Sequence, residues 1–378
     1  MHARSPIAAG LLALALGCGA RTELLGARNS AIGDGAIGAD ASLELDRCPS
    51  ALLAGAPRAI AGSCSTRDGR SRVAGPTAPH VLWRSSVPSP ADPAAFTQVV
   101  TLASDASGNA YALLKPSSDN AGLDRLLRLD GATGAVRWDT QFVPVQGISA
   151  TPTILVDGEI DVVASQFDPV PSLARFDAIS GMLSTTPFSN GIVGRDPSPA
   201  VGADGASYYA YLTTVEPLGG LVVSRLRPDT TVDWTSIDFA SLGAPSGGSP
   251  GAYALSSIAL GDNDLVLLAA YVYGSASSDT TRLLALDPTD GSLRWSAVIG
   301  GELKAGPIVA SDGSIVVLSM DTSTTPQLTV YEPTGAVRHT VEPGTGISAL
   351  YAIAADGTVS RRDRTRARLS LSRREKRA

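Results

Sequence analysis

One unit recurs along this chain at a period of about 50 residues, and a period of that length admits few folds. The unit begins with an apolar stretch, an Asp-Gly-type pair and a second apolar stretch, plainest in Ile154-Leu155-Val156-Asp157-Gly158-Glu159-Ile160-Asp161-Val162-Val163. The same arrangement centres on Ser107-Gly108, Asp204-Gly205, Asp262-Asn263, Asp312-Gly313 and Asp356-Gly357, with steps from 107 of 50, 47, 58, 50 and 44 residues. Such pairs tolerate positive φ, so each centre predicts a two-residue hairpin turn. Pro152, Pro199 and Pro307 stand five or six residues ahead of their turns, where a proline marks a strand's start without removing a ladder donor.

The second half of the unit is a strand, another turn and a strand that carries an aromatic. Leu127-Arg128-Leu129-Asp130-Gly131-Ala132-Thr133-Gly134-Ala135-Val136-Arg137-Trp138 matches the run from Leu284 to Trp295 almost position for position. Weaker copies run from Arg175 to Met182, from Leu226 to Trp234 and from Tyr331 to His339. Four short strands per unit of about 50 residues predict an all-β chain, a β-propeller of four-stranded blades. Five full units and a truncated sixth give about six blades, within a range of six to seven. The segment Val81-Leu82-Trp83 precedes the first unit and is expected to supply the outer strand that the last blade lacks. Alternating Ala367, Leu369 and Leu371 offer that blade a further strand; the other reading of residues 363–378 is a basic tail.

The pattern Leu-Asp-x-x-Thr-Gly-x-x-x-Trp, followed by a small residue, Pro, a β run and Asp-Gly, resembles the repeat of the pyrroloquinoline quinone-like propellers. That superfamily includes quinoprotein alcohol dehydrogenases and outer-membrane assembly lipoproteins. The likeness spans roughly residues 65 to 360 and takes in the lead-in from Gly69 to Trp83. It implies that Trp83, Trp138, Trp234 and Trp295 lie on outer strands and dock neighbouring blades, with Thr185 and His339 in their place in the eroded copies. Members that bind the quinone carry a vicinal Cys pair, a calcium site of Glu, Asn and Asp, and a catalytic Asp in a longer, eight-bladed chain. This sequence has no adjacent cysteines and fewer units, so none of those roles transfers, and no cofactor is expected.

The N-terminus reads as an export signal over residues 1–17, with Arg4 as its positive region and Ile7 to Leu16 as an apolar core too short to span a bilayer. Leu16-Gly17-Cys18 resembles the lipobox of bacterial lipoproteins, with Ala15 where the family prefers Leu. The resemblance implies lipid on Cys18 and a membrane anchor in the bacterial cell envelope; Gly19, where Asp would favour inner-membrane retention, points to the outer membrane. Residues 18–47 read as a flexible tether rich in Gly, Ala, Asn and Asp, and 48–77 as a lead-in to the propeller at 78–362. Cys48 and Cys64 are placed either for a disulfide loop in an oxidising compartment or as two free thiols.

The formal net charge is -6, and residues 361–378 hold nine Lys/Arg against two Asp/Glu, which leaves -13 for the rest. An acidic body excludes the basic face that a nucleic-acid partner requires. Catalytic groups are sparse: the three histidines are His2 in the signal, His80 after a proline and His339 in a Trp-like place. No phosphate-cradling Gly loop or nucleophile elbow occurs, and the Asp residues recur because turns favour them. The expected function is therefore a non-catalytic, lipid-anchored module that binds a protein or glycan, with inserted loops such as 242–253 as a candidate surface. A quinone-dependent dehydrogenase is the alternative.

Overall fold

A computed structural model of the chain describes residues 81–85, 97–116, 124–142, 151–155, 157–164, 172–187, 192–193, 198–213, 220–236, 254–256, 258–272, 280–299, 302–310, 312–321, 325–342, 351–353, 358–361 and 368–370. The signal, the tether, the lead-in, Cys18, Cys48, Cys64, His80 and the loop 242–253 lie outside them. Apart from one 3₁₀ turn at Asp262–Asp264, the described elements are β-strands.

Blade one pairs β1 (Thr97–Ser104), β2 (Ala110–Pro116), β3 (Asp124–Leu129) and β4 (Val136–Phe142) in sequential antiparallel order. Blade two repeats it with β5 (Thr153–Ile154), β6 (Glu159–Ala164), β7 (Ser172–Asp177) and β8 (Leu183–Pro187). In blade three the inner strand comes in two pieces, β9 (Ile192–Val193) and β10 (Ala200–Val201). Both pair with β11 (Ser207–Thr213), before β12 (Gly220–Leu226) and β13 (Val232–Thr235). Blade four likewise sets β14 (Ala254–Leu255) and β15 (Ala259–Leu260) on β16 (Val266–Val272), then adds β17 (Thr280–Leu286) and β18 (Leu293–Val298). Blade five is β19 (Glu302–Val309), β20 (Ile315–Met320), β21 (Pro326–Tyr331) and β22 (Val337–Val341). A three-stranded sheet of β23 (Tyr351–Ile353), β24 (Thr358–Arg361) and β25 (Arg368–Ser370) follows. The chain is thus an all-β propeller with five complete blades and three strands of a sixth.

The middle strands explain why the sequence reads as short, unbroken apolar runs. Val266, Leu268 and Ala270 pack in one buried cluster with Tyr208 and Val223 of blade three. Leu267 and Ala269, between them, pack in another with Val309, Val317 and Tyr331 of blade five. Alternate residues of one strand thus face opposite neighbours, and both faces are apolar because both are covered. Among the described residues the three largest clusters lie between blades, and two smaller ones draw only on blade five and on blade one.

Four local expectations change. The Asp-Gly hairpins hold three residues between their closing bonds: the Leu155 amide donates to the Glu159 carbonyl at 2.9 Å and the Gly158 amide to the Leu155 carbonyl at 3.1 Å. Gly158 alone takes positive φ there, +86°, while Asp157 does not, because a type I turn closed by one left-handed residue also matches the strand twist. Pro307 lies inside β19 at a register break between Ala305 and Ile308, where no ladder donor is needed. β25 falls within the segment 363–378 that the alternative reading left as a tail, and it pairs Leu369 with Val359. Finally, residues 81–85 form no ladder with a described strand, so the expected strand at Trp83 does not extend the last sheet among the described residues.

Candidate functional site

The turns between first and second strands and those between third and fourth strands share one face of the propeller. A Cβ built on Gly131 would come within 2.6 Å of the Gly108 carbonyl, so the two turns of blade one touch backbone to backbone. This face carries most of the acidic residues singled out in the sequence, and the chemistry of each carboxylate is local. In the first set of turns Asp105 accepts from the Ser107 and Asn109 amides, both at 2.9 Å, Asp157 from Glu159 at 3.0 Å and Asp204 from Ala206 at 3.0 Å. In the second set Asp130 accepts from the Ala132 and Thr133 amides, the Thr133 hydroxyl and Arg137. The Arg137 guanidinium and Thr133 hydroxyl hold Asp130 well below the usual carboxylate range. The Ser180 hydroxyl lowers Asp177 in the same way, and the Thr231 hydroxyl lowers Asp229. These carboxylates are acceptors committed to their own turns. Among the described residues no group of three or more His, Cys, Asp or Glu could hold a metal ion.

The tryptophans meet the next blade at one repeated point. Trp138 Nε1 donates to the Ala178 carbonyl at 3.0 Å, Trp234 to Pro288 at 2.9 Å and Trp295 to Pro333 at 3.1 Å. Trp83 makes the same bond to Gly131, at 2.8 Å, from outside blade one. Each acceptor follows the first residue of a third-to-fourth-strand turn. Trp138 also stacks on Phe176, with centroids 6.4 Å apart and planes at 7°, and tilts against Tyr111 at 6.1 Å. Its ring lies over Gly181, where a Cβ would stand 2.7 Å from the indole and where φ is +70°. Only glycine meets both demands at low cost. Trp83, Trp234 and Trp295 lie over Gly134, Gly291 and Gly335 in the same way.

Blade two breaks the pattern, and sequence reasoning missed how. Thr185 was aligned with Trp138, but the β7–β8 ladder runs without a bulge and sets Ser184 opposite Arg175, the place that Trp138 holds opposite Arg128. The contact with blade three is made by Arg175, whose Nη1 donates to the Pro228 carbonyl at 2.7 Å. Arg128, beside Trp138, donates likewise to the Ala178 carbonyl at 2.9 Å, so blade two keeps the arginine and lacks the indole. Pro228 occupies the acceptor place of Ala178 and Pro288. Two further bonds, 2.7 and 2.9 Å, tie the same guanidinium to Asp161, which is fully buried and also accepts from the Tyr209 hydroxyl of blade three at 3.2 Å. Burial pushes the Asp161 carboxyl up and Arg175 pulls against it; Asp161 in turn keeps Arg175 above its ordinary value despite burial. Asp161 is closed to solvent and Arg175 is mostly covered, so the pair's task is to hold two blades together. The available signal was an Asp at 161 in a run otherwise apolar, with Arg175 one strand away. In blade five His339 stands opposite Val330, as Trp295 stands opposite Ala285.

Comparison with known proteins gives likeness in structure alone. No family model matches the sequence, and no curated protein matches it. Among solved structures, BamB from Moraxella catarrhalis is 15% identical with a TM-score of 0.39, over 68% of this chain and 80% of that one. Quinohemoprotein alcohol dehydrogenase from Comamonas testosteroni is 13% identical with a TM-score of 0.43, over 82% and 77%. TolB from Acinetobacter baumannii is 15% identical with a TM-score of 0.36, over 62% and 51%. Quinoprotein-type propellers, named above from the repeat, are thus among the structures similar to this chain, and what it shares with them is the β-propeller fold.

Proposed function

We propose that the protein is a non-catalytic binding or scaffold module, held at the bacterial envelope by lipid on Cys18, with the outer membrane as its address. The observation that carries this reading is the commitment of the turn-face carboxylates: Asp105, Asp130, Asp157, Asp177, Asp204 and Asp229 each accept bonds from their own turns. Groups spent on backbone closure build a rigid surface, which suits presentation to a protein or glycan partner. The quinone-dependent alternative needs a vicinal Cys pair that the sequence lacks.

The test is crosslinking and affinity capture of the full-length, lipid-anchored protein from envelope membranes. Recovery of one defined partner in stoichiometric yield is expected. Quinone-dependent dye reduction by the purified protein with added calcium would overturn the reading. The anchor is tested separately: Cys18→Ala should move the protein from the membrane to the soluble fraction, and a variant that stays membrane-bound removes lipid from the account.

A further inference from the structure

The outer strands of four blades share one device, and blade two lacks it. Between third and fourth strands the ladder skips one residue: Arg137 in β4, Asp233 in β13, Arg294 in β18 and Arg338 in β22. Every skipped residue is charged. Each closes onto its own turn, Arg137 on Asp130, Asp233 on Arg227, Arg294 on Asp287 and Arg338 on Glu332. A bulge and a charge are two of the means by which an exposed strand edge is kept from pairing with other chains. β8 has neither: its ladder is regular from Leu183 to Pro187 and the strand carries no charge. Its one edge-blocking residue is Pro187 at the far end, which leaves the backbone of Leu183 to Thr186 to pair. The turn at its head holds Ile179, 82% exposed, and Met182, 74% exposed, the two most exposed large apolar residues described. The corresponding residues are Ala132 and Ala135 in blade one and Thr289 and Ser292 in blade four.

We infer that the outer edge of β8 is a docking site for an extended, uncharged segment of a partner protein, which adds to blade two as a fifth strand and covers Ile179 and Met182. This deepens the binding-module reading and rests on it. Backbone amides and carbonyls along the edge would give the affinity, and the apolar turn the preference for an uncharged segment. Charge and size decide the occupant. A second copy would bring another body of net charge -13, outside its basic end, against this one. Five residues of strand span about 17 Å, a footprint suited to a segment and short of the roughly 1,000 Å² that a stable pair of folded proteins buries.

The experiment uses the full-length protein in detergent and the blocked peptide acetyl-Thr-Val-Thr-Val-Thr-Val-amide as probe, with hydrogen exchange read strand by strand. Exchange across 183–187 should slow at least about tenfold with peptide at millimolar concentration. Ser184→Lys, at an exposed edge position, should abolish that slowing, as should Met182→Lys in the exposed turn. Slowing that appears on another strand, survives both variants or never appears overturns the inference. So does slowing that rises with protein concentration alone, which would make a second copy the occupant. If Ser184→Lys still captures the partner found on envelope membranes, the edge is wrong while the binding module stands.

Discussion

Blades one and two meet through Trp138 over Gly181 with Arg128 beside it, whereas blades two and three meet through Arg175 with no indole and have Thr230 in the glycine's turn. The acceptor is common to both: a backbone carbonyl just past the start of the turn, Ala178 in one and Pro228 in the other. The docking point is therefore set by backbone: Arg128 and Trp138 both reach it in one interface, and Arg175 reaches it without an indole in the other. What differs is the source of cohesion. An indole covers apolar surface and makes one hydrogen bond, so its contribution follows area. A buried ion pair contributes little over a well-packed apolar pair, yet is costly to break from one side. The two interfaces should therefore fail differently.

Arg175→Ala should cause the largest loss, about 3–5 kcal/mol, because Asp161 would be left charged and enclosed. The double substitution Asp161→Leu with Arg175→Leu should recover most of it in urea unfolding; equal losses in the single and double variants would show that the pair is not what supports this interface. Trp295→Ala comes next at about 2–3 kcal/mol, below the roughly 3–5 of a fully buried ring, since Trp295 is half-buried. No second substitution should rescue it, because the loss is of area.

The glycine place gives the smallest and most diagnostic contrast. Thr230 sits at φ +68°, a conformation that costs a non-glycine residue about 1–2 kcal/mol, offset in part by the greater unfolded-state freedom of glycine. Thr230→Gly should thus raise the melting temperature slightly. Gly181→Ala should lower it by several degrees, with the indole of Trp138 in the way as well as the unfavourable φ. Shifts of the same sign at the two positions would mean that the interfaces do not differ as described.

The blade plan was legible because it rests on strong local signals. Asp157-Gly158 and Asp312-Gly313 mark hairpins through side-chain capping and positive φ, and the spacing from Asp130 to Trp138 recurs from Asp287 to Trp295. Register was not legible. A bulge shifts pairing by one residue without altering composition, so an alignment by spacing chose Thr185 when the ladder places Ser184 opposite Arg175. The Arg175 contact escaped for a related reason: its acceptor is a backbone carbonyl 53 residues away, and a carbonyl leaves no mark in sequence. β25 was balanced between strand and tail because Leu369 and its neighbours alternate weakly among arginines, and only pairing with Val359 decides it.

The Trp-over-glycine contact also fixes an order of assembly. The tryptophan is written in one copy of the repeat and its glycine in the next, so the unit that was duplicated and the unit that must fit are out of phase. Blade two issues an arginine and no indole, and blade three receives it at the Pro228 carbonyl with Thr230 in the glycine's turn; blade four issues an indole and blade five receives it with a glycine. Exchanging blade one with blade two, or blade three with blade four, would set Trp against Thr and leave a glycine with nothing over it, whereas blades one and four could trade places. The blades resemble one another, but the seam between blades two and three is addressed, and its place in the succession is encoded in paired side chains.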